Sequence, residues 1–393
     1  MISTSQIEQL AASFGPEFIG IRRHLHAHPE LSFQEHQTSA FIQEKLRSWG
    51  IPFRTGFAGT GVVGLLQGND PASRIVALRA DMDALPISEA NDILYKSTEP
   101  GVMHACGHDV HTSCVLGAAK ILQELRGSWN GTVKLIFQPG EEKAPGGASL
   151  MIRDGALLDP RPSAILGLHV QPDLETGNLG FRAGKYMASA DEIYITLRGK
   201  GGHAAAPHLT TDLILAASRI VVALQQVISR NRDPFSPSVL SICAINGGHT
   251  TNVIPSELKM MGTFRAMDED WRAKAHELIR GLVTSIAGEM GAEAGILIPP
   301  GYPCLYNDEK LTSRARDLAT GFLGEARVLD TPMRMGSEDF AFYSREIPAC
   351  FFRLGTGNQE AGTGSGVHTP TFNIDERAIP IGMGAMAWLA ANL

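Results

Sequence analysis

Nine consecutive residues, M-H-A-C-G-H-D-V-H at positions 103–111, bring together side chains that can bind a metal ion. Thiolate, imidazole and carboxylate are the ligand types that zinc, manganese, cobalt and nickel accept, whereas calcium and magnesium prefer oxygen ligands alone. A polar cluster of this kind can also form an ordinary surface loop. Whether it is a metal site therefore depends on partners elsewhere in the chain.

Further candidate ligands follow apolar segments that have the composition of buried strands. These segments begin at residues 74, 132, 164 and 349, and the first three are almost continuously apolar, as in strands covered on both faces. The polar residues that follow the segments are Asp81, Asp83, Glu141, Glu142, His169 and His368. Ligands of an open α/β sheet gather beyond the carboxyl ends of its strands, so we expect these side chains to converge on the H-x-C-x-H motif.

Each candidate also has an ordinary structural explanation. His169 could be a core histidine, the Glu141–Glu142 pair a solvated turn, and the two aspartates a turn or a helix cap. Their coincidence at one predicted edge favours the metal site. A structural zinc site would group its Cys and His ligands in short paired spacings, whereas these ligands are far apart and include a spare acid. One of two adjacent carboxylates can bind metal while its neighbour holds a water molecule, which indicates a metallohydrolase.

The composition limits the class of protein. With 393 residues the chain exceeds what one hydrophobic core usually organises, so two domains are expected. Hydrophobic residues make up 44% and charged residues 19%, and the net charge of -7 argues against nucleic acid or an anionic membrane as the main partner. Five cysteines without a disulfide-framework spacing, and an N-terminus without a secretory signal pattern, predict a cytoplasmic protein.

The order of the segments predicts the fold. The pattern is helical up to Trp49, and strands then alternate with helices such as one over residues 110–125, which is typical of an open α/β sheet. An apolar segment from Ala378 predicts a closing helix. The middle of the chain, residues 191–298, has the order β-α-β-β-α-β of a ferredoxin-like domain. The sequence therefore predicts a small sandwich domain inserted into a larger α/β domain.

Several strings of residues stand in an order that one family shares. They are R-R-H-L-H-A-H-P-E-L-S from residue 22, A-L-R-A-D-M-D-A-L-P from 77, M-H-A-C-G-H-D-V-H from 103, Q-P-G-E-E from 138, G-L-H-V from 167, G-K-G-G-H-A-A-A-P-H from 199, T-N-V-I-P from 251, G-S-E-D-F from 336 and H-T-P from 368. In these strings the chain resembles the M20 family of metallopeptidases and amidohydrolases. The resemblance points to the branch that contains hippurate hydrolase, bacterial N-acyl-amino-acid amidohydrolases and plant auxin-conjugate hydrolases.

The resemblance implies an architecture and a metal content. It implies an α/β fold in which a zinc-peptidase-like catalytic domain, with a mixed open sheet flanked by helices, spans 1–183 and 299–393. A ferredoxin-like lid or dimerisation domain is inserted over 184–298. The resemblance also implies two divalent metal ions, which would be zinc, manganese, cobalt or nickel. The implied metal ligands are Cys106, His108, Glu142, His169 and His368.

Roles for other residues follow from the same resemblance. Glu141 is implied as the general base, Asp83 as a further catalytic residue, and His203 as the donor that stabilises a tetrahedral oxyanion. Asn252 and Arg265 are candidates for substrate binding, because a guanidinium can grip a carboxylate with two hydrogen bonds. Without the resemblance, His203 would be a loop histidine, Asn252 a turn residue and Arg265 an exposed strand end.

Two positions depart from the pattern of the wider M20 superfamily. Asp81-Met82-Asp83 stands where an H-x-D motif is usual, and Cys106 stands where an aspartate usually bridges two metal ions. Both departures are typical of the amidohydrolase branch and support that placement. A thiolate in place of a carboxylate also leaves the identity of the metal open.

The expected function is metal-dependent cleavage of the amide bond in N-acyl amino acids, hippurate-like or N-acetyl, to a carboxylic acid and a free amino acid. The alternative inside the family is a carboxypeptidase or dipeptidase, whose acyl half is itself a peptide or an amino acid. The alternative outside the family's activities is a metal-binding protein that is not an enzyme. The absence of Glu141 or of one of the ligands would indicate such a protein, and all of these residues are present. The expected partners are a small N-acyl amino acid or short peptide and a second copy of the chain in a homodimer.

Overall fold

Two compact units make up the chain, of which the computed structural model describes residues 2–393. The first unit runs from the N-terminus to Gly184 and includes Tyr306–Pro332 and Asp339–Leu393. The second unit comprises Lys185–Leu305 and Met333–Glu338. They are named unit 1 and unit 2. The predicted division into a catalytic domain and an inserted lid or dimerisation domain concerns function, and it stays a prediction.

Helices and strands occupy most of the described chain. The α-helices are α1 (Thr4–Ala27), α2 (His36–Ser48), α3 (His108–Glu124), α4 (Gly147–Arg153), α5 (Leu213–Gln226), α6 (Glu269–Glu289), α7 (Glu309–Leu323), α8 (Ala341–Glu346) and α9 (Ala378–Asn392). The strands are β1 (Phe53–Phe57), β2 (Gly61–Gln67), β3 (Ile75–Asp81), β4 (Thr132–Gln138), β5 (Ala164–Glu175), β6 (Leu179–Phe181), β7 (Gly184–Met187), β8 (Asp191–Arg198), β9 (Gly202–His203), β10 (Ser238–Asn246), β11 (Val253–Ile254), β12 (Glu257–Ala266), β13 (Glu293–Leu297), β14 (Leu305–Asn307), β15 (Val328–Asp330) and β16 (Ala349–Gly357).

A mixed sheet of eight strands forms the centre of unit 1, in the order β1-β2-β4-β3-β5-β16-β6-β15. Strands β4, β3, β5 and β16 run parallel to one another, whereas β1 and β2 are antiparallel to their neighbours. Every residue of β4 is buried, which explains its almost continuous apolar composition. The predicted mixed open sheet is confirmed, and the four parallel strands end on the same edge.

Helices α1, α3 and α9 pack against one another, and α3 and α9 also contact the sheet of unit 1. Most residues of α9 are buried, which confirms the predicted closing helix. At Gly117 in α3 a β-carbon would overlap with the side chain of Met383 in α9. A glycine at this position therefore lets the two helices approach closely.

The predicted helical pattern up to Trp49 is interrupted, and in this respect the prediction was wrong. Helix α1 ends at Ala27, and α2 begins only at His36. Proline disfavours helical backbone at the residue before it, so Pro29 ends the first helix although the apolar periodicity continues. Phe33, in the loop between the helices, has a φ of +66°.

Strand β5 was expected to end at the G-L-H-V string, and this prediction was also wrong. The strand continues to Glu175, because β16 pairs with it beyond that string, for example Gly355 with Gln171. His169 therefore lies within a strand that is hydrogen-bonded on one side by β16. A side chain in such a strand is held more rigidly than one in a loop.

Unit 2 contains an antiparallel sheet of four strands in the order β10-β12-β8-β13. Alternate residues of β8, namely Ile193, Ile195 and Leu197, are buried in one apolar core with residues of α5 and α6. Apart from the short β9–β11 ribbon, the order of elements is β8-α5-β10-β12-α6-β13. This is the β-α-β-β-α-β order that the sequence pattern predicts.

One helical stretch in residues 2–393, Leu213–Asn231, is long and apolar enough to cross a membrane by length and composition. It comprises α5 and the turn that follows it. Its buried residues include Leu213, Ala217 and Ile220, which belong to the apolar core of unit 2. An apolar helix that belongs to a core, as this one does, also meets the criteria of length and composition for a membrane-spanning helix.

Asp191 is the centre of a buried group of charges in unit 2. Its carboxylate accepts hydrogen bonds from Arg272 Nε at 2.8 Å and Nη2 at 2.5 Å, and His276 Nε2 lies 2.8 Å away. Burial raises the pKa of Asp191, but the bonds from Arg272 and His276 outweigh burial, and the pKa lies below the usual 3.8. The ionised carboxylate therefore stabilises unit 2 at pH values above 3.8, and this stabilisation is lost as the pH falls through the lowered pKa of Asp191.

Replacing Asp191 with asparagine is expected to lower the free energy of unfolding of unit 2 by about 3 kcal/mol, because the largely buried Arg272 guanidinium loses its buried counter-ion and keeps only the exposed Glu269. Urea unfolding at pH 7, followed by tryptophan fluorescence, measures the change. Glu257→Gln is the matched control, since Glu257 pairs with Arg198 on the exposed surface of the same sheet and its loss should leave the midpoint unchanged. Equal midpoints for Asp191→Asn and the wild type would contradict the account.

Candidate metal centre

The M-H-A-C-G-H-D-V-H segment leads into α3 beside β5. Gly107 stands between Cys106 and His108 with a φ of +86°, a left-handed conformation that favours glycine. A β-carbon at Gly107 would overlap with the side chain of Val170 in β5. The tight turn therefore holds Cys106 and His108 against the strand that carries His169.

Two groups of predicted ligands lie close enough to hold a metal ion. One consists of Cys106, His108 and His169, and the other of Cys106, Glu142 and His368, with the ligand atoms of each group within 4.8 Å of one another. Cys106 belongs to both groups, and its Sγ lies 3.5 Å from His169 Nε2. His368 Nε2 lies 3.0 Å from Glu142 Oε1. The structure thus brings all five predicted ligands together around one thiol.

The histidine tautomers fit a metal ion. His108 Nδ1 lies 3.1 Å from Asp83 Oδ1, and His169 Nδ1 lies 2.7 Å from the carbonyl oxygen of Val170. Both acceptors place a ring proton on Nδ1 and leave the Nε2 lone pair for a metal. His108 Nε2 is buried and has no hydrogen-bond partner among the residues that the structure describes. A thiol, three imidazoles and a carboxylate in this arrangement suit a divalent transition metal.

The electrostatics of the cluster favour a cation. Hydrogen bonds to Cys106 and Glu142 raise the pKa of His368 to about 10. Burial lowers the pKa of His108, but neighbouring negative groups, Asp81 first among them, outweigh burial and hold the pKa well above its usual value. Burial, followed by the charge of Glu142, raises the pKa of the Cys106 thiol. A metal ion that binds here therefore displaces protons, which makes its affinity depend on pH.

Glu141, the spare acid of the pair, lies next to the ligands without belonging to either group around Cys106. It follows β4 and is 6% exposed. Its carboxylate lies within 4.8 Å of ligand atoms of His108 and Glu142, and its Oε1 accepts a hydrogen bond from Asp339 N at 3.4 Å. A carboxylate at this position can reach a water molecule held at the cluster, as a general base must.

Asp83 lies behind His108 and outside both ligand groups. Its Oδ1 faces His108 Nδ1, whereas its Oδ2 accepts hydrogen bonds from Ser32 Oγ at 2.6 Å and from Glu142 N at 2.9 Å. The carboxylate therefore holds the ring of one predicted ligand and the backbone of another. This is the geometry of a residue that orients ligands.

Replacing Asp83 with asparagine is expected to weaken divalent metal binding by about 10- to 100-fold, because the His108 ring loses the carboxylate that orients it. Titration of metal-stripped protein with zinc in competition with a chromophoric chelator measures the affinity. The exposed Asp154 in the same unit gives the control Asp154→Asn, which should bind zinc as the wild type does. An affinity that is equal in Asp83→Asn and Asp154→Asn would show that Asp83 does not orient the ligands.

A buried network that reaches the site from β3 was not predicted from the sequence. Arg79 donates to Asp81 Oδ2 at 2.6 Å and to Asp339 Oδ1 at 2.8 Å. Asp81 Oδ1 lies 2.6 Å from His111 Nδ1, and His111 Nε2 accepts a hydrogen bond from Val170 N at 2.9 Å. With both ring nitrogens engaged, His111 links β3 to β5. The available signal was the alternation of Arg79 and Asp81 in an otherwise apolar strand, which places both side chains on one face.

The other three predicted site residues lie in unit 2. His203 pairs with Val253 in the β9–β11 ribbon, and Asn252 directly precedes β11. Arg265 lies near the end of β12 and donates from Nη1 to Ser337 Oγ at 3.0 Å. His203 is exposed, and its Nδ1 accepts a hydrogen bond from Ala205 N at 3.1 Å. The neutral ring therefore carries its proton on Nε2, where it can be donated. The structure brings His203 and Asn252 together and places Arg265 on a separate strand.

Known proteins resemble the chain over nearly its whole length. Residues 77–392 match the profile of Peptidase family M20/M25/M40. The N-acetyl-L-cysteine deacetylase of Bacillus subtilis is 41% identical over 363 residues, which cover 92% of this chain and 85% of that protein. Thermostable carboxypeptidase 2 of Saccharolobus solfataricus is 38% identical over 375 residues, which cover 95% of this chain and 94% of that protein. A solved structure of a dinuclear metal-binding peptidase of the M20 family from Bacillus subtilis superposes with a TM-score of 0.84 at 35% identity and covers 97% of this chain and 98% of that one.

Proposed function

Because the chain belongs to Peptidase family M20/M25/M40, we propose that it cleaves the amide bond of N-acyl amino acids as a metal-dependent amidohydrolase. Hippurate-like and N-acetyl amino acids are the proposed substrates, and a carboxylic acid and a free amino acid are the products. The observation that carries the proposal is the cluster of Cys106 and four further predicted ligands, with the acid Glu141 beside it and outside both groups that contain Cys106. The family and the cluster together make the chain a hydrolase of linear amide bonds.

The proposed cofactor is a pair of divalent metal ions, which the five predicted ligands would hold. Support comes from the two ligand groups, which have only Cys106 in common. Zinc, manganese, cobalt and nickel are the candidates, since each accepts mixed sulfur, nitrogen and oxygen ligands. When bound, such ions lower the pKa of a water molecule and polarise the carbonyl group of the amide.

Residues of the chain carry the proton transfers in the proposed reaction. Glu141 takes a proton from the attacking water and returns it to the amine that leaves. Asp83 keeps the His108 ring and the Glu142 backbone in place while this happens, through the hydrogen bonds to both. Burial of Glu141 excludes competing water and keeps the proton between the reacting groups.

Three residues of unit 2 have proposed roles toward the substrate. His203 donates a hydrogen bond from Nε2 to the tetrahedral oxyanion, which its tautomer supports. Asn252 and Arg265 bind the amino-acid half, with the Arg265 guanidinium gripping the α-carboxylate. These roles come from the family resemblance, and the local hydrogen bonds of unit 2 are compatible with them.

A carboxypeptidase or dipeptidase activity is the second candidate. The 38% identity to a thermostable carboxypeptidase over 95% of the chain favours it. The same ligands and the same base would serve a substrate whose acyl half is a peptide or an amino acid. The two candidates differ in the acyl half alone.

A substrate panel tests the proposal. Purified protein loaded with zinc, manganese, cobalt or nickel is incubated with N-acetyl, N-benzoyl and longer N-acyl amino acids and with dipeptides, and free amino acid is measured. We expect the N-acyl amino acids to be hydrolysed with the higher kcat/KM. Faster release from dipeptides would overturn the acylase assignment in favour of the second candidate.

Association and location are part of the proposal. We propose that unit 2 serves as a lid and dimerisation domain, since β10 and β13 stand at the edges of its sheet, where a second copy could add its own strand. A cytoplasmic location is supported by the cysteines, all of which are free thiols in the structure. The small-molecule substrate needs neither nucleic acid nor a membrane as partner.

A further inference from the structure

The loop between α1 and α2, residues 28–35 with the sequence H-P-E-L-S-F-Q-E, contacts both segments that carry the acids of the metal centre. It is named the 28–35 loop. Ser32 Oγ donates to Asp83 Oδ2 at 2.6 Å, and the same oxygen accepts a hydrogen bond from Glu142 N. Leu31 pairs with Ala84, the residue after Asp83. The loop is therefore attached to the segment that orients His108.

A second contact joins the 28–35 loop to the turn that precedes Glu141. Gly140 has a φ of +63°, and a β-carbon on it would overlap with the ring of Phe33. The ring thus packs directly on the backbone of Gly140. Any rotation of this turn would have to displace the ring.

A third contact comes from Glu35, whose side chain is completely buried. Its Oε1 accepts hydrogen bonds from Gly140 N at 2.8 Å and from Phe33 N at 2.9 Å, and its Oε2 accepts one from Thr60 Oγ1 at 2.9 Å. Burial, followed by the charge of Asp83, raises the pKa of Glu35 to about 7. A buried carboxyl group in such surroundings is costly unless its hydrogen bonds are satisfied, so its position is closely determined.

We propose that Glu35 is a positioning residue for the general base, because its hydrogen bond to Gly140 N fixes the backbone from which Glu141 projects. The consequence for catalysis rests on the proposed function, whereas the consequence for the backbone does not. A general base must be held within a fraction of an ångström of its place, so a small displacement of this turn lowers the rate of the chemical step. Substrate binding has no such dependence on the turn, and KM should change little.

Three variants test the role of Glu35. Glu35→Ala removes the acceptor for Gly140 N. Glu35→Gln keeps a side chain of the same length, whose carbonyl oxygen can accept from Gly140 N while its NH2 group faces Thr60. Glu30→Ala is the matched control, because the Glu30 carboxylate in the same loop also accepts two backbone hydrogen bonds, from Gln37 N at 3.0 Å and Thr38 N at 2.9 Å. Those bonds hold the start of α2 and not the turn before Glu141.

Two readouts separate positioning from general stability. Amide hydrogen exchange of the peptide that covers residues 138–142 should be faster in Glu35→Ala than in the wild type and unchanged in Glu30→Ala. In metal-loaded protein, kcat should fall about 10- to 100-fold in Glu35→Ala with KM within about twofold, and Glu35→Gln should recover most of the loss. Metal content should remain equal in all variants.

The outcomes are distinct. The role of Glu35 would be overturned if amide hydrogen exchange of residues 138–142 were equal in Glu35→Ala and Glu30→Ala. It would also be overturned if kcat fell equally in both variants. A loss of rate that follows a loss of metal would overturn it as well. A wild-type protein without activity would refute the proposed function instead, and the exchange measurement would still decide whether Glu35 holds the turn. If Glu35→Ala does not fold, Glu35→Gln alone decides. A kcat and an amide exchange of residues 138–142 equal to those of the wild type would support the acceptor role, and a tenfold loss of kcat would oppose it.

Discussion

Replacing Glu141 with glutamine is expected to lower kcat for amide hydrolysis by about a thousandfold while divalent metal binding stays intact, because a general base contributes a rate factor of this order. Glutamine has the shape of glutamate but cannot take a proton from the attacking water. Glu141 belongs to neither group around Cys106, and the variant keeps His108 and Glu142, with which Glu141 forms a further group of possible ligands, so its loss should not release metal. Steady-state kinetics at full metal loading measure the loss, with metal content determined on the same samples.

The neighbouring acid provides the control for this prediction. Glu142→Gln removes a predicted ligand, and it should lose metal affinity as well as activity. The two variants differ by one position and should separate the chemical step from metal binding. A Glu141→Gln protein that has lost its metal, or that keeps its rate at full metal loading, would contradict the assignment of the base.

Removing the thiol of Cys106 is expected to release metal from both ligand groups, because Cys106 is their only shared member. Loss of this ligand in Cys106→Ala should weaken metal binding at least about 100-fold, which exceeds the effect expected for a residue that only orients a ligand. Cobalt-loaded wild type should show thiolate-to-metal charge-transfer absorption in the near ultraviolet. That absorption should be absent from Cys106→Ala.

Two further variants sharpen the test of Cys106. Cys114, which lies in α3, is also buried, and its Sγ faces the carbonyl oxygen of Ile379. Cys114→Ala should bind cobalt and show the absorption as the wild type does. Cys106→Asp restores an anionic ligand that lacks sulfur, so it should regain metal with a preference shifted toward manganese. Charge-transfer absorption that persists in Cys106→Ala would contradict the thiolate ligand.

The sheet and the edge that carries the site could be predicted from the sequence for one physical reason. Parallel strands covered on both faces are almost continuously apolar, and β4 is buried at each of its seven residues. A charged pair such as Glu141–Glu142 directly after such a strand is therefore conspicuous. The ferredoxin-like order of unit 2 could be predicted likewise, because its strands alternate between buried and exposed residues.

What the sequence could not supply are contacts between segments that are distant along the chain. Glu35 and Gly140 are 105 positions apart, and Arg79 and Asp339 are 260 positions apart. No local periodicity relates such residues, so the 28–35 loop and the Arg79 network become apparent only in three dimensions. The end of α1 had a local signal in Pro29, but the apolar periodicity that continues past it concealed the break.

Metal-dependent release of amino acid tests the central claim most directly. Protein stripped of metal is titrated with zinc, manganese, cobalt or nickel, and the hydrolysis of N-acetyl and N-benzoyl amino acids is followed at each step. The account predicts no release before metal is added and a rate that rises with metal until the ligand groups are filled. Release that is independent of metal, or no release from folded and metal-loaded protein with any substrate, would contradict it.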